Sequence, residues 1–205
     1  VNENTTVNGR LTYNMNFKNS AKDSGVYMDT LNVKHQFGDF AVTLGRYANN
    51  FGNEYSWRFG DSHNFDGAEL SYAKNAFNAK VGFGQWDTDY KAAGADTAID
   101  DKDAFYAKAG YNFGFAKLGA DYIAQKDGSK DEIYGVNLNI PVQQFNVFGE
   151  YWNNTTASDY DTAWNAGLSY GKADWKKAGT WDLTVAYNDV DQGLFLEGMT
   201  GLQTT

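Results

Sequence analysis

The chain has no cysteine, so neither a disulfide nor a thiolate metal site is open to it. Histidine occurs only at His35 and His63, and proline only at Pro141. Positive charge is short: 17 Lys and Arg stand against 26 Asp and Glu, a net charge of −9. That balance argues against nucleic acid as the partner. No apolar run approaches the ~20 residues of a spanning helix. Phosphate-loop and dinucleotide fingerprints are missing too. The mean hydropathy of −0.60 would place the chain among soluble proteins. That inference fails for a β-barrel, whose alternating strands average out to polar.

What the sequence has instead is alternation. In "TAWNAGLSY" (162–170), Trp164, Ala166, Leu168 and Tyr170 share one parity, while Asn165, Gly167 and Ser169 share the other. In a strand, this puts apolar side chains on one face and small polar ones on the opposite face. The pattern recurs in "GRLTYNMNFK" (9–18), "VYMDTLNVKHQF" (26–37), "FAVTLGRY" (40–47), "AELSYAK" (68–74) and "AKVGFGQW" (79–86). It continues in "AFYAKAGYNF" (104–113), "AKLGADYIA" (116–124), "IYGVNLNI" (133–140), "FNVFGEYW" (145–152) and "TWDLTVAYND" (180–189). Eleven strands are predicted. Short connectors ("GD", "NAFN", "GF", and "PVQQ" with Pro141) alternate with long polar ones at 19–25, 47–67, 87–103, 127–131 and 153–161. Short turns at one end and long loops at the other describe an up-and-down barrel. The tail "GLFLEGMTGLQTT" alternates poorly and takes no place in this series.

The side-chain types assign the faces. Small residues such as Ala107, Ala109, Ala120 and Ala166 would fill a packed interior poorly, but lipid chains conform to them. The polar parity carries Arg10, Lys34, Glu69, Lys80, Lys108, Lys117, Asp121, Glu150 and Asp182, which suit a wet lumen. Aromatics near strand ends (Tyr111, Phe113, Phe115; Tyr151, Trp152; Trp175, Trp181; Tyr187) read as interfacial girdles.

Residues 26–73 resemble the Gram-negative trimeric porins. The resemblance lies in "FGDFAVTLGRY", then the long segment 47–67, then "GAELSYAK". It implies a barrel of sixteen strands in which the Gly-Arg strand is the fifth. It also implies that 47–67 is a constriction loop folded into the lumen. Aromatic strands and asparagine-rich loops are also similar to the S-layer-homology-domain porins of diderm Firmicutes. On this reading the chain is a single β-barrel domain over 1–205, incomplete at both ends. Were the whole protein 205 residues long, ten or twelve strands would be the better expectation.

The implied constriction residues are Glu54, Arg58, Asp61, His63 and Asp66. Loop acids facing wall bases (Arg10, Lys34, Arg46) would set up a transverse field that filters by charge and size. Arg46 shares the parity of Leu44, so reaching the lumen requires a bulge at Gly45 or the end of the strand there. The net charge suggests a mild cation preference, but the named wall residues hold more Lys and Arg than acids. Ion preference therefore stays open.

No catalytic residue, cofactor or metal is expected. Ser62 beside His63 is adjacency, not catalytic geometry. The acidic connector 87–103 lacks EF-hand spacing. The function expected is a water-filled outer-membrane channel for passive diffusion. Its expected partners are outer-membrane lipid, two further copies of itself in a homotrimer, and small hydrophilic solutes and ions. Two alternatives remain: a structural or partner-binding barrel with a plugged lumen, and a soluble β-sandwich carbohydrate-binding module.

Overall fold

The computed structural model describes residues 2–14, 25–53, 64–86, 102–126 and 130–194. It holds a single antiparallel sheet of eleven strands, each paired with its neighbours in chain order. They are β1 (Thr5–Asn14), β2 (Gly25–Phe37), β3 (Phe40–Ala48), β4 (Asn64–Lys74), β5 (Phe77–Trp86) and β6 (Lys102–Asn112). β7 (Lys117–Gln125), β8 (Glu132–Val142), β9 (Phe145–Asn154), β10 (Thr162–Gly171) and β11 (Asp182–Val190) complete it. The expected all-β, up-and-down antiparallel class is the one the chain adopts. Among the described residues no helix is long and apolar enough to cross a membrane, which says nothing of strands.

Period-two patterning becomes two unlike faces. Along β9, Asn146, Phe148, Glu150, Trp152 and Asn154 are buried, while Phe145, Val147 and Tyr151 are exposed. β10 repeats this, with Ala163, Asn165 and Ser169 buried and Trp164 and Leu168 bare. We call these the covered and the bare face. The bare face presents Leu44, Leu70, Val81, Phe83, Leu118, Val136, Leu138, Val147, Leu168 and Val185 to the surroundings.

Three of the expected boundaries move. β4 begins at Asn64 rather than at Ala68, so it takes in residues 64–67 of the connector expected at 47–67. β1 begins at Thr5 rather than near Gly9, because Val7 pairs with Val33 and adds an apolar residue to the bare face. Pro141 lies inside β8, paired with Asn146, rather than in the turn that follows. It sits at the rim of the sheet, where proline is tolerated.

The bare face also carries aromatic rings in rows. At the short-turn rim, Phe37, Phe40, Tyr72 and Phe77 follow one another at centroid distances of 5.9, 4.8 and 6.1 Å. Phe145, Tyr170 and Trp181 continue the rim at 4.9 and 5.3 Å. Nearer the long connectors stand Tyr122–Tyr134 at 4.8 Å and Trp164–Tyr187 at 5.2 Å. One residue expected in these girdles is elsewhere: Trp152 points to the covered face and is fully buried.

Candidate pore face and its inward segment

The covered face is built in layers. Across its middle runs a row of polar side chains fixed by the strand register. Lys80 pairs across with Lys108, Lys108 with Asp121, Asn137 with Glu150, and Glu150 with Asn165. Direct opposition of two lysines is unfavourable in a sheet, and each turns away to an acid. Lys80 Nζ binds both carboxylate oxygens of Glu69, at 3.1 and 3.3 Å. Lys108 Nζ stands 3.7 Å from Asp121 Oδ1. Glu69 also accepts a 2.6 Å bond from Tyr106 OH, which lies 3.2 Å from Tyr47 OH. Burying carboxylates is costly unless they are paired and hydrogen-bonded. These three are both buried and bonded: Glu69, Asp121 and Glu150 expose only 7%, 6% and 5% of their surface.

Part of the bonding comes from the long connector after β3. Residues 49–53 leave the strand and cross the covered face. The Gly52 N–H donates to Asp121 Oδ2 at 3.3 Å, and the Asn53 N–H to Glu150 Oε2 at 2.8 Å. Asn53 Nδ2 donates to the Leu138 carbonyl at 3.0 Å. Asn165 Nδ2 fills the other Glu150 oxygen at 3.0 Å. Lys108 donates to the Asn50 carbonyl and stands 4.8 Å over the Phe51 ring. A segment from β3 is thus bound to strands up to β9, 97 positions away. Gly52 makes this approach possible. Its φ is +77°, and a Cβ there would lie 2.5 Å from Glu150 Oε2.

Toward the long connectors the covered face is apolar. Phe51, Phe65, Trp86 and Tyr106 meet edge to face at centroid distances of 4.8 to 5.7 Å. Tyr47, Ile123, Ile133, Trp152 and Leu194 belong to the same cluster. Leu194 arrives on a short 3₁₀ turn, Gln192–Leu194, so the tail that lacked alternation begins by packing here. The wall makes room for large rings by placing glycine opposite them. Gly82 is the cross-strand partner of Tyr106 and Gly135 that of Trp152. A Cβ on either glycine would fall 2.3 Å from the facing ring. The rings therefore lie flat on bare backbone.

Toward the short turns the covered face is open and polar. One recess of about 500 Å³ is lined by Gly52, Asn78, Lys108, Asn112, Lys117 and Asn137, among others. A second, of about 490 Å³, includes Lys117, Asn139, Gln144, Asn146, Ser169 and Lys172 in its lining.

The expected site residues divide accordingly. Glu69, Lys80, Lys108, Asp121 and Glu150 come together in the middle row. Lys34 and Lys117 share that face and are exposed; Asp182 stands opposite Gly171 at the short-turn rim. Arg10 is ion-paired with Asp29 beside an irregularity in the β1–β2 register. Glu54, Arg58, Asp61 and His63 lie outside the described residues. Arg46 and Asp66 are corrections. The register runs unbroken through Gly45, so Arg46 stays on the bare face with Leu44, and β3 continues to Ala48. There it forms a two-pronged pair with Asp66, Nε to Oδ1 at 2.8 Å and Nη2 to Oδ2 at 2.5 Å. Neither residue lies on the covered face. Gly45, at φ +112°, accommodates the Leu31 carbonyl 2.4 Å from where a Cβ would be, without reversing the strand's faces.

Sequence reading passed over Gly52, Asn53 and Asn137 and placed Asn165 on the polar parity without its acid; these are neutral groups that satisfy Asp121 and Glu150. It also passed over Phe51 and Trp86 as members of an apolar cluster on the polar parity. The available signal was an aromatic facing a glycine, which can be read only once the register is known. Among the described residues no three His, Asp or Glu side chains gather to hold a metal.

No family model matches the chain, and no curated protein matches it. Among solved structures it is similar to OmpT of Vibrio cholerae, described as an outer membrane protein. The loop L8 deletion mutant is 14% identical, with 92% of this chain and 82% of that chain covered and a TM-score of 0.48. The in-vitro folded trimer form is 15% identical, covering 94% and 80%, with a TM-score of 0.47. An anion-selective porin from Comamonas acidovorans is 19% identical over 83% of this chain, with a TM-score of 0.47, and the match spans 52% of that porin. The fold assigned here stands on the strands and pairings described above.

Proposed function

We propose that the chain is the wall of an outer-membrane porin, a water-filled β-barrel through which ions and small hydrophilic solutes diffuse. The observation that carries this reading is the contrast between the two faces. One is an apolar surface banded by aromatic rings, with the Arg46–Asp66 pair near its long-connector end. The other is a polar wall crossed by a segment of the chain itself. In water, so large an exposed apolar face would aggregate; against lipid it is satisfied. Strands of 9–13 residues rise about 3.4 Å per residue, so ten residues reach about 34 Å. Tilted by about 40°, they span the ~25 Å apolar band of an outer-membrane barrel.

On this reading the covered face is lumenal, and residues 49–53 of the candidate constriction loop 47–67 narrow it. Bonds to Asp121 and Glu150 fix the segment against the wall, so the aperture has a set size. Its polar row offers water-replacing hydrogen bonds to a passing solute. The remaining strands of a sixteen-stranded barrel and a homotrimeric assembly belong to the same proposal, on the resemblance of residues 26–73. The narrower kinship with S-layer-homology porins rests on the style of the strands and loops.

The test is single-channel recording of detergent-purified protein in a planar bilayer. Ohmic steps, in threes for a trimer, are expected. The apolar cluster around Phe51 and Leu194 favours a second reading, a structural barrel plugged at its long-connector end. Silence from protein shown to be folded and inserted would select it. Solubility without detergent would defeat both readings.

A further inference from the structure

Resting on the channel reading, we infer that the pore selects for anionic solutes such as chloride, phosphate and small carboxylates, through exposed lysines on the short-turn half of the covered face. The chain's net charge of −9 points the other way. What decides is where each charge sits and what already occupies it.

Among the described residues the acids of the covered face are hydrogen-bonded, and two of them, Glu69 and Asp121, are offset by a lysine. Glu69 is bound by Lys80 and Tyr106, Asp121 by Lys108, Asn137 and Gly52 N–H, and Glu150 by Asn165 and Asn53 N–H. Asp131, closer to the long connectors, is buried and accepts from Asn154 Nδ2 at 3.0 Å. On the short-turn half, Asp182 is the acid in the wall, and its carboxylate accepts the Ala173 N–H at 3.1 Å.

The lysines of that half are not occupied. Lys117 and Lys172 on that half, and Lys34 in the middle row on the ladder Lys34–Thr43–Glu69, are exposed and make no ion pair among the described residues. Lys117 lines both recesses, and Lys172 shares the second with it. Around Lys117 and Lys172 stand amides, Asn78, Asn112, Asn139 and Asn146, whose N–H groups also solvate anions. Asp121 also lines the first recess, beside Lys108, and beyond that pair Lys117 and Lys172 leave the two recesses with surplus positive charge. A cleft with surplus charge of one sign and low-dielectric walls focuses field and enriches the counter-ion.

The experiment is the zero-current potential of reconstituted protein across a KCl gradient. Wild type is expected to show a chloride-to-potassium permeability ratio above one. K34E/K117E should lower that ratio by roughly tenfold, the modest end of charge focusing by a cleft. K126E, the same charge change on an exposed residue just past the opposite end of β7, should leave it in place. A cation-preferring wild type overturns the inference without any variant. So does a K34E/K117E channel with the wild-type ratio. Inserted protein that conducts nothing overturns the channel reading and this inference together, whereas conductance with the wrong sign overturns this inference alone.

Discussion

Replacing Gly52 by alanine tests whether segment 49–53 sets the aperture. Two costs follow from the geometry. At φ +77° an alanine is in left-handed backbone, worth about 1–2 kcal/mol. Its Cβ would stand 2.5 Å from Glu150 Oε2 and 3.2 Å from Trp152 Cζ2, so the carboxylate must move. Moving it breaks the 2.8 Å bond from the Asn53 N–H; a bond to a charged acceptor contributes about 1.5–3 kcal/mol. Together these come to about 2.5–5 kcal/mol against docking, about two to three and a half decades in the ratio of docked to released segment. Phe51 holds the segment with about 1.5–3 kcal/mol of apolar burial, so the two effects are of similar size. G52A is therefore expected to conduct in larger or flickering steps and to be cleaved by protease near residues 49–53 while the sheet survives. The control is G114A. Gly114 also has positive φ, +87°, but nothing lies within 4 Å of its would-be Cβ. It should be strained yet conduct as wild type does. Wild-type conductance and protection in folded G52A would refute the idea that this segment narrows the pore.

Three further outcomes are expected. F51A removes a fully buried ring from the aromatic cluster and should cost about 3–5 kcal/mol, read as a lowered midpoint of denaturant unfolding in detergent. Y106F deletes the hydroxyl that binds Glu69 at 2.6 Å and faces Tyr47. It should destabilise by about 1.5–3 kcal/mol, whereas Y72F, on the bare face, should not. Val136 is bare and mid-strand, so V136R should lose about 2–4 kcal/mol of folding free energy in liposomes. N139R, on the covered face, should lose little, and equal losses would contradict the assignment of faces.

Strand number, antiparallel order and the division of each strand into two unlike faces were legible in the sequence because side-chain alternation is local. Each strand declares its own two sides, and short connectors force neighbours to pair. Leu168 and Ser169 needed no information beyond their own strand to be placed on opposite faces. Glu69, Lys80, Lys108, Asp121 and Glu150 were found the same way, as charges on the polar parity. Arg46 failed because the resemblance implied a lumenal arginine while its parity said otherwise; Asp66, directly opposite across the β3–β4 register, holds it on the bare face.

The tertiary structure decided what parity cannot carry. Which buried acids are hydrogen-bonded depends on backbone N–H groups arriving from residues 52 and 53, 69 and 97 positions away along the chain. Whether a ring on the polar parity blocks the lumen or lies flat depends on the glycine opposite it, as at Gly82 and Tyr106. Composition said acidic, yet in the covered wall of the short-turn half the exposed Lys117 and Lys172 stand against one exposed acid, Asp182, because the carboxylates Glu69, Asp121 and Glu150 are buried in the middle row. Period two is written residue by residue. Register, docking and charge compensation are properties of pairs far apart in the chain, and only the folded sheet brings those pairs together.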